Sequence, residues 1–449
     1  MGIEPGLLHA GALILRERLA IGALRCAELA EACIARIEAH DEAVKAWAWF
    51  DPEHLRKQAG ALDAYRASGR PIGALHGLPV AVDDVIDTVG IPTCNGTPID
   101  AGRVPNRDAG VVERLKAEGA LIVGKTATTE LAFTAPSAVA NPVNPEHTPG
   151  GASAGSAAAV AAGMVPLAVG IQTAGSIVRS ASYCGVAGFK PTFGAIGRRG
   201  VLAQAPSLDT VGVFASDPEG AALLAEALYG HDPLDRATSP APHPRLLSCV
   251  QAGAPVEPAF ALVHTPYWNK AEAEMREALE ELANLLGERC FIVELPELFA
   301  EADAVRKRIQ LAELAKCFYR YGRHGRDRLS AEMIEAIETG SALPARDYIA
   351  ALDWADVLNA ALEQIFDRCD AILTPAAPGP APKRIAGIGD PIFNGVWTLC
   401  RTPALTLPLF AAPNGLPMGV QLVGRRGDDG RLLRTGRWLT DFVMRTEES

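Results

Sequence analysis

Short apolar runs and helical stretches take turns along the first half of this chain, and that alternation restricts the fold more than any other feature. LPVAV (78–82) reads as a buried strand, GVVERLKAEG (110–119) as a helix, ALIVG (120–124) as the next strand and SAAAVAAGM (156–164) as a buried helix. Strands without a polar face need a helical layer on each side. The pattern therefore predicts an α/β domain, a twisted mixed or mostly parallel sheet sandwiched between helices. Strand signals return in AILTP (371–375), ALTLPLF (404–410) and GVQLVG (419–424). Ahead of the core, residues 6–40 alternate apolar and charged positions at helical spacing, and a second helix is expected from Glu53 to Ser68. The segment from about Asp217 to Asp370 has proline punctuation at Ser239–Pro244, then stretches rich in Ala, Glu and Arg. The organisation expected is one large domain over 1–449: a helical arm (1–70), a core (71–216), a variable helical insertion (217–370) and a return to the sheet (371–449).

A net charge of −11 argues against nucleic acid or an anionic membrane as the main partner, since neither attracts a negative surface. Nine cysteines are scattered with no C-x-x-C pair and no Cys/His cluster, which points to a reducing, cytoplasmic compartment, no metal and no cofactor. The opening MGIEPGLLHAGALILRERL reads as an amphipathic helix rather than a leader. From Thr148 to Val178 the chain carries no charge, but its glycines, Pro166 and Gln172 predict a buried helix with flanking turns, not a membrane span.

The letters Gly119-Ala-Leu-Ile-Val-Gly124-Lys125-Thr126 spell a Walker A motif. That chemistry needs a flexible loop whose N–H groups wrap phosphates, and four consecutive apolar residues predict a strand instead. Cys184 reads as a core thiol with no histidine in a pairing motif, and His76 as a residue of the turn before a strand. The turn Pro149–Ser156 and the loop Thr173–Ser176 are glycine- and serine-rich segments beside apolar elements.

Three stretches, GLPVAVDDVIDT (77–88), PGGASAGSAAAVAAG (149–163) and IQTAGSIVRSASYCGVAGFKPT (171–192), resemble the amidase signature family. The likeness covers roughly 71–214 and 370–439. It implies amide hydrolysis by a serine nucleophile, a second serine on a cis peptide and a lysine. Matched residue by residue, the nucleophile position is Ser176, the lysine position reads Asp83 and the cis-serine position reads Ala152. Gly151 and Ser153 flank the cis position; Gln172, Ala174 and Val178 stand where the family has an acid, a glycine and an arginine. The resemblance also implies that Thr173, Ala174, Gly175 and Ser176 present backbone donors to an oxyanion, with Gln172, Gly151 and Ser153 around the pocket. Arg179, Arg198 and Arg199 are candidate anion contacts.

Two functions follow. The one expected is a degenerate homologue that binds a small ligand or a partner without turning amides over, because both halves of the reaction have lost their proton carrier. The alternative is a hydrolase of amide or other acyl C–N bonds in which Ser176 acts through a relay involving Asp83. The partners expected are a small molecule and either a second copy or a different protein chain.

Overall fold

The apolar runs do become strands. In a computed structural model describing residues 6–447, eleven strands form one sheet: β1 (Trp47–Phe50), β2 (Pro79–Asp83), β3 (Leu121–Thr126), β4 (Leu167–Gln172), β5 (Ala187–Lys190), β6 (Thr210–Ala215), β7 (Phe260–His264), β8 (Cys290–Glu294), β9 (Ala371–Pro375), β10 (Ala404–Ala411) and β11 (Pro417–Val423). Their spatial order is β1-β3-β2-β4-β6-β5-β10-β11-β9-β7-β8. The sheet is mixed. β3, β2 and β4 run parallel, as do β9, β7 and β8, while β6, β5, β10 and β11 pair antiparallel between these two groups. Strands β2, β3, β4 and β6 are buried at every residue, so helices cover both faces.

The expected helices appear at Ala12–Ile21 and Cys26–Val44 in the arm, at Pro52–Ala67, at Gly110–Ala117 and at Ala154–Ala161. Asp51 caps the third of these, accepting from the N–H groups of Glu53 and His54 at 2.9 and 3.2 Å, with Pro52 as the first helical residue. The charge-free run after Thr148 is divided between the helix Ala154–Ala161, β4 and the helix Val178–Cys184. Among the described residues no helix is long and apolar enough to cross a membrane.

The middle segment differs from the helical reading in one respect. It supplies β7 and β8, which extend the sheet beyond β9 to its far edge. β8 is partly exposed along its length, although Cys290–Val293 is an apolar run. The Walker-like letters lie in β3, where Lys125 and Thr126 are fully buried. An extended segment with its N–H groups in a sheet cannot wrap a phosphate.

Candidate active site

Parallel pairing of β2 with β4, Val80 opposite Leu167 through Val82 opposite Val169, brings the C-terminal ends of both strands to the same edge. β2 ends at Asp83 and β4 at Gln172. The loop after β4 carries Ser176 into the helix Val178–Cys184, and the turn before the helix Ala154–Ala161 lies against it. Gly151 N–H donates to Ser180 Oγ at 2.9 Å, and Arg179 Nη2 donates to Gly151 O at 2.7 Å. A cis peptide bond joins Gly151 to Ala152.

Ala152, Thr173, Ala174, Gly175 and Ser176 all line one cavity of about 420 Å³. Among the described residues the Ser176 hydroxyl has no hydrogen-bond partner, and the N–H groups of Ala174, Gly175 and Ser176 meet no protein acceptor. A larger hollow of about 660 Å³ lies between Asp87, Asn95 and Tyr321. It holds no serine.

The substitutions around Ser176 have local partners. Gln172 is buried; its Oε1 accepts from Ile177 and Val178 N–H at 2.9 and 3.0 Å, and its Nε2 donates to Thr398 Oγ1 at 3.0 Å. An acid could do the first task but not the second. Ala174 is not among the residues with positive φ, so the loop does not require glycine there. Gly175 is needed for closeness: a Cβ would stand 2.4 Å from Asn394 Oδ1. Thr173 donates to Asp209 Oδ1 at 2.6 Å, tying the loop to a buried carboxylate. Ser153 turns inward. Its hydroxyl donates to Ile171 O at 3.2 Å and accepts from Ile171 N–H at 3.1 Å, so it braces β4 and does not line the cavity.

Asp83 lies behind this wall, fully buried and outside the cavity lining. Neither carboxylate oxygen has a hydrogen-bond partner. Ser153 is a neighbour that favours the charged form, but its hydroxyl is committed to Ile171. Burial pushes the Asp83 carboxyl up to about 7; the negative charge of Asp84 adds to this and Lys125 opposes it. Lys125 donates to Ile86 O at 2.5 Å and Thr93 Oγ1 at 2.9 Å, and its ammonium stands 3.8 Å from Asp84. Burial brings Lys125 down to about 8, against the pull of Asp84 and Asp83. This buried lysine beside the two acids was visible in the sequence only as a Walker-like letter.

The remaining candidates separate clearly. Arg198 is held by Asp235 and by the carbonyls of Pro206 and Asp209, and Arg199 by Asp232 and Glu113. Arg179 lines the cavity. His76 sits near Cys26, their Nε2 and Sγ 3.8 Å apart, and does not line the cavity. Cys184 is a buried thiol directed at Pro149 O. Arg306, Lys307, Gln310 and Asp390 also line the cavity; no motif marks them, because they come from remote segments of the chain.

The family model described as Amidase matches residues 28–433. A glutamyl-tRNA(Gln) amidotransferase component, named as one of that enzyme's subunits, from Anaeromyxobacter sp. (strain K) is 36% identical over 478 residues, which cover 97% of this chain and 95% of that protein. The crystal structure of the component of the same name from Thermotoga maritima superposes with a TM-score of 0.77 at 30% identity, covering 91% of this chain and 90% of its own. A chain from a vestigial protein complex that reveals the evolutionary origins of an s-triazine catabolic enzyme superposes with a TM-score of 0.90 at 28% identity, over 96% and 98%. Relatives of nearly full length thus bear the name of an amidotransferase component. They overturn the expectation of a degenerate homologue that only binds, and they favour the hydrolase alternative. The physical reason is visible in Gln172 and Ala174: what looked like loss around Ser176 is a loop with its own set of partners.

Proposed function

We propose that this chain, which belongs to the amidase family, is a hydrolase of amide or other acyl C–N bonds with Ser176 as nucleophile and Asp83 as proton carrier. The observation that supports this most is the Ser176 hydroxyl, unpaired at a cavity beside three N–H groups that meet no protein acceptor. Ser176 Oγ adds to the acyl carbon while its proton passes by way of water to Asp83, which stands behind the cavity wall. The carbonyl oxygen, now negative, takes hydrogen bonds from the 174–176 loop. Asp83 returns the proton to the nitrogen, the C–N bond breaks and the amine leaves. Water then repeats the sequence on the acyl-serine, releasing the acid and restoring the hydroxyl. A carboxyl pushed up to about 7 suits both directions of this transfer near neutral pH.

A fluorophosphonate is expected to add to Ser176, seen as a mass increase on the peptide that contains it. Ser176→Ala should lose both the adduct and the cleavage of activated anilides. An unlabelled Ser176, together with no cleavage across a panel of anilides and amides, overturns the reading.

A partner protein is part of the same proposal. The Anaeromyxobacter relative is named as one component of an amidotransferase, and the s-triazine structure is of a protein complex. Sedimentation of the protein expressed alone and beside the products of neighbouring genes checks this. A monomer in both preparations argues against it.

A further inference from the structure

Backbone donors beside Ser176 serve an oxyanion only while their peptide planes hold one orientation. Among the described residues Ala174 O has a single hydrogen-bond donor, the hydroxyl of Thr398 at 2.9 Å. Thr398 is 2% exposed, sits on the helix Ile392–Leu399 and does not line the cavity, so it touches the loop from behind. The Ala174–Gly175 peptide is trans, and in a trans peptide the carbonyl and the N–H point to opposite sides. Drawing Ala174 O back toward the helix therefore turns Gly175 N–H forward, to the side where Ala174, Gly175 and Ser176 face the cavity.

A threonine hydroxyl has one proton to give. Two carbonyls are within its reach: Ala174 O, and Asn394 O one turn back on its own helix at 3.2 Å. Asn394 O is the helix-ladder acceptor for the N–H four residues on, whereas no backbone donor reaches Ala174 O. Gln172 settles the matter from the other side. Its Oε1 takes the N–H groups of Ile177 and Val178, which leaves Nε2 to donate to Thr398 Oγ1 at 3.0 Å. With its oxygen already accepting, the hydroxyl keeps its proton for a carbonyl. An acid at 172 would accept that proton itself and leave Ala174 O without a donor.

We infer that Thr398 is a positioning residue of the oxyanion loop: its hydroxyl, directed by Gln172, holds the 174–175 peptide so that Gly175 N–H faces the acyl oxygen. Its effect on rate rests on the reading of Ser176 as nucleophile; its hold on the peptide does not, and the two are measured separately.

Thr398→Val keeps the shape of the side chain and removes the hydroxyl. On an activated anilide kcat should fall by about 10²-fold, the cost of one oxyanion donor, while KM stays within about 3-fold of wild type, because the contact matters only once the oxygen is negative. Thr398→Ser retains the hydroxyl and should restore both constants to within about 3-fold of wild type. Gln172→Glu still accepts from Ile177 and Val178 but turns the hydroxyl toward itself, so it should lower kcat by about as much as Thr398→Val, and the two together should cost little more than either alone. Crystal structures of the two single variants should show the 174–175 peptide rotated from its wild-type orientation. A folded Thr398→Val with wild-type kcat, or with that peptide unmoved, overturns the inference while leaving Ser176 chemistry standing. Should Thr398→Val fail to fold, Gln172→Glu decides by the same two measurements. If wild type cleaves no anilide and Ser176 takes no label, a rotated peptide upholds the hold of Thr398 on the loop and counts against the hydrolase, whereas an unmoved one overturns both.

Discussion

Asp83→Asn is expected to remove most of the activity and, above neutral pH, to make the protein more stable. Both effects have one origin. The folded chain holds the Asp83 carboxyl at about 7 because burial disfavours its charge, whereas an exposed aspartate titrates near 3.8. A carboxyl pushed up in this way favours the fold while it is neutral. Its contribution is fully present below about pH 4, falls as pH rises and is gone above about pH 7. The cost of holding it ionised is on the order of 4 kcal/mol. Asparagine cannot ionise, so thermal unfolding at pH 8 should rise by a few degrees relative to wild type, with little difference at pH 4. Activity runs the opposite way. As proton acceptor Asp83 must be charged, so wild-type kcat/KM should climb through about pH 7, and Asp83→Asn should lie roughly 10²–10⁴-fold lower with that rise absent. Equal stability of the two proteins at pH 8, or a wild-type profile shared by the variant, would place the proton carrier elsewhere.

The sheet was legible in the sequence only in part. β2, β3, β9, β10 and β11 are each read from an apolar run, and the structure places a strand within a few residues of every one, whereas β4, β5 and β6 are buried at every residue and are not read as strands. β8 is not read either, although Cys290–Val293 is an apolar run, because that run is short and stands between helical stretches. The signature register was clear, since agreement on both sides of Asp83 and Ala152 fixed their positions. What the sequence could not supply was the second partner of each substitution. Gln172 looks like a lost acid until Thr398, on the helix Ile392–Leu399, is seen to receive its amide. Arg306 lies on the helix Ala302–Cys317 among Lys307, Arg308 and Asp303, a run that reads as a solvated face. Only the packing of that helix against Ile392–Leu399 buries the arginine at the cavity.

In the proposed mechanism Ala152 and Asp83 stand at two positions of one proton path, and their coupling is the sharper test of it. Ala152 lines the cavity with Ser176, so a hydroxyl placed on its Cβ offers the proposed relay a member at the wall of that cavity. Ala152→Ser differs from wild type by one oxygen, at a residue whose main-chain oxygen is already fixed by Thr129 N–H at 3.3 Å and Thr128 Oγ1 at 3.2 Å. The turn should therefore keep its shape. Replacing a mobile water link by a fixed hydroxyl gives proton transfer a defined geometry, and kcat/KM on an activated anilide should increase by about 10- to 100-fold. The gain should vanish when Asp83→Asn is added, because a relay that ends at a group unable to take a proton has no use for its middle member. Two groups acting as a unit give such non-additive effects, whereas independent ones add. A gain that survives in the double variant would mean that the new serine works with another acceptor, and an unchanged rate in Ala152→Ser would show that Ser176 does not send its proton toward β2 at all.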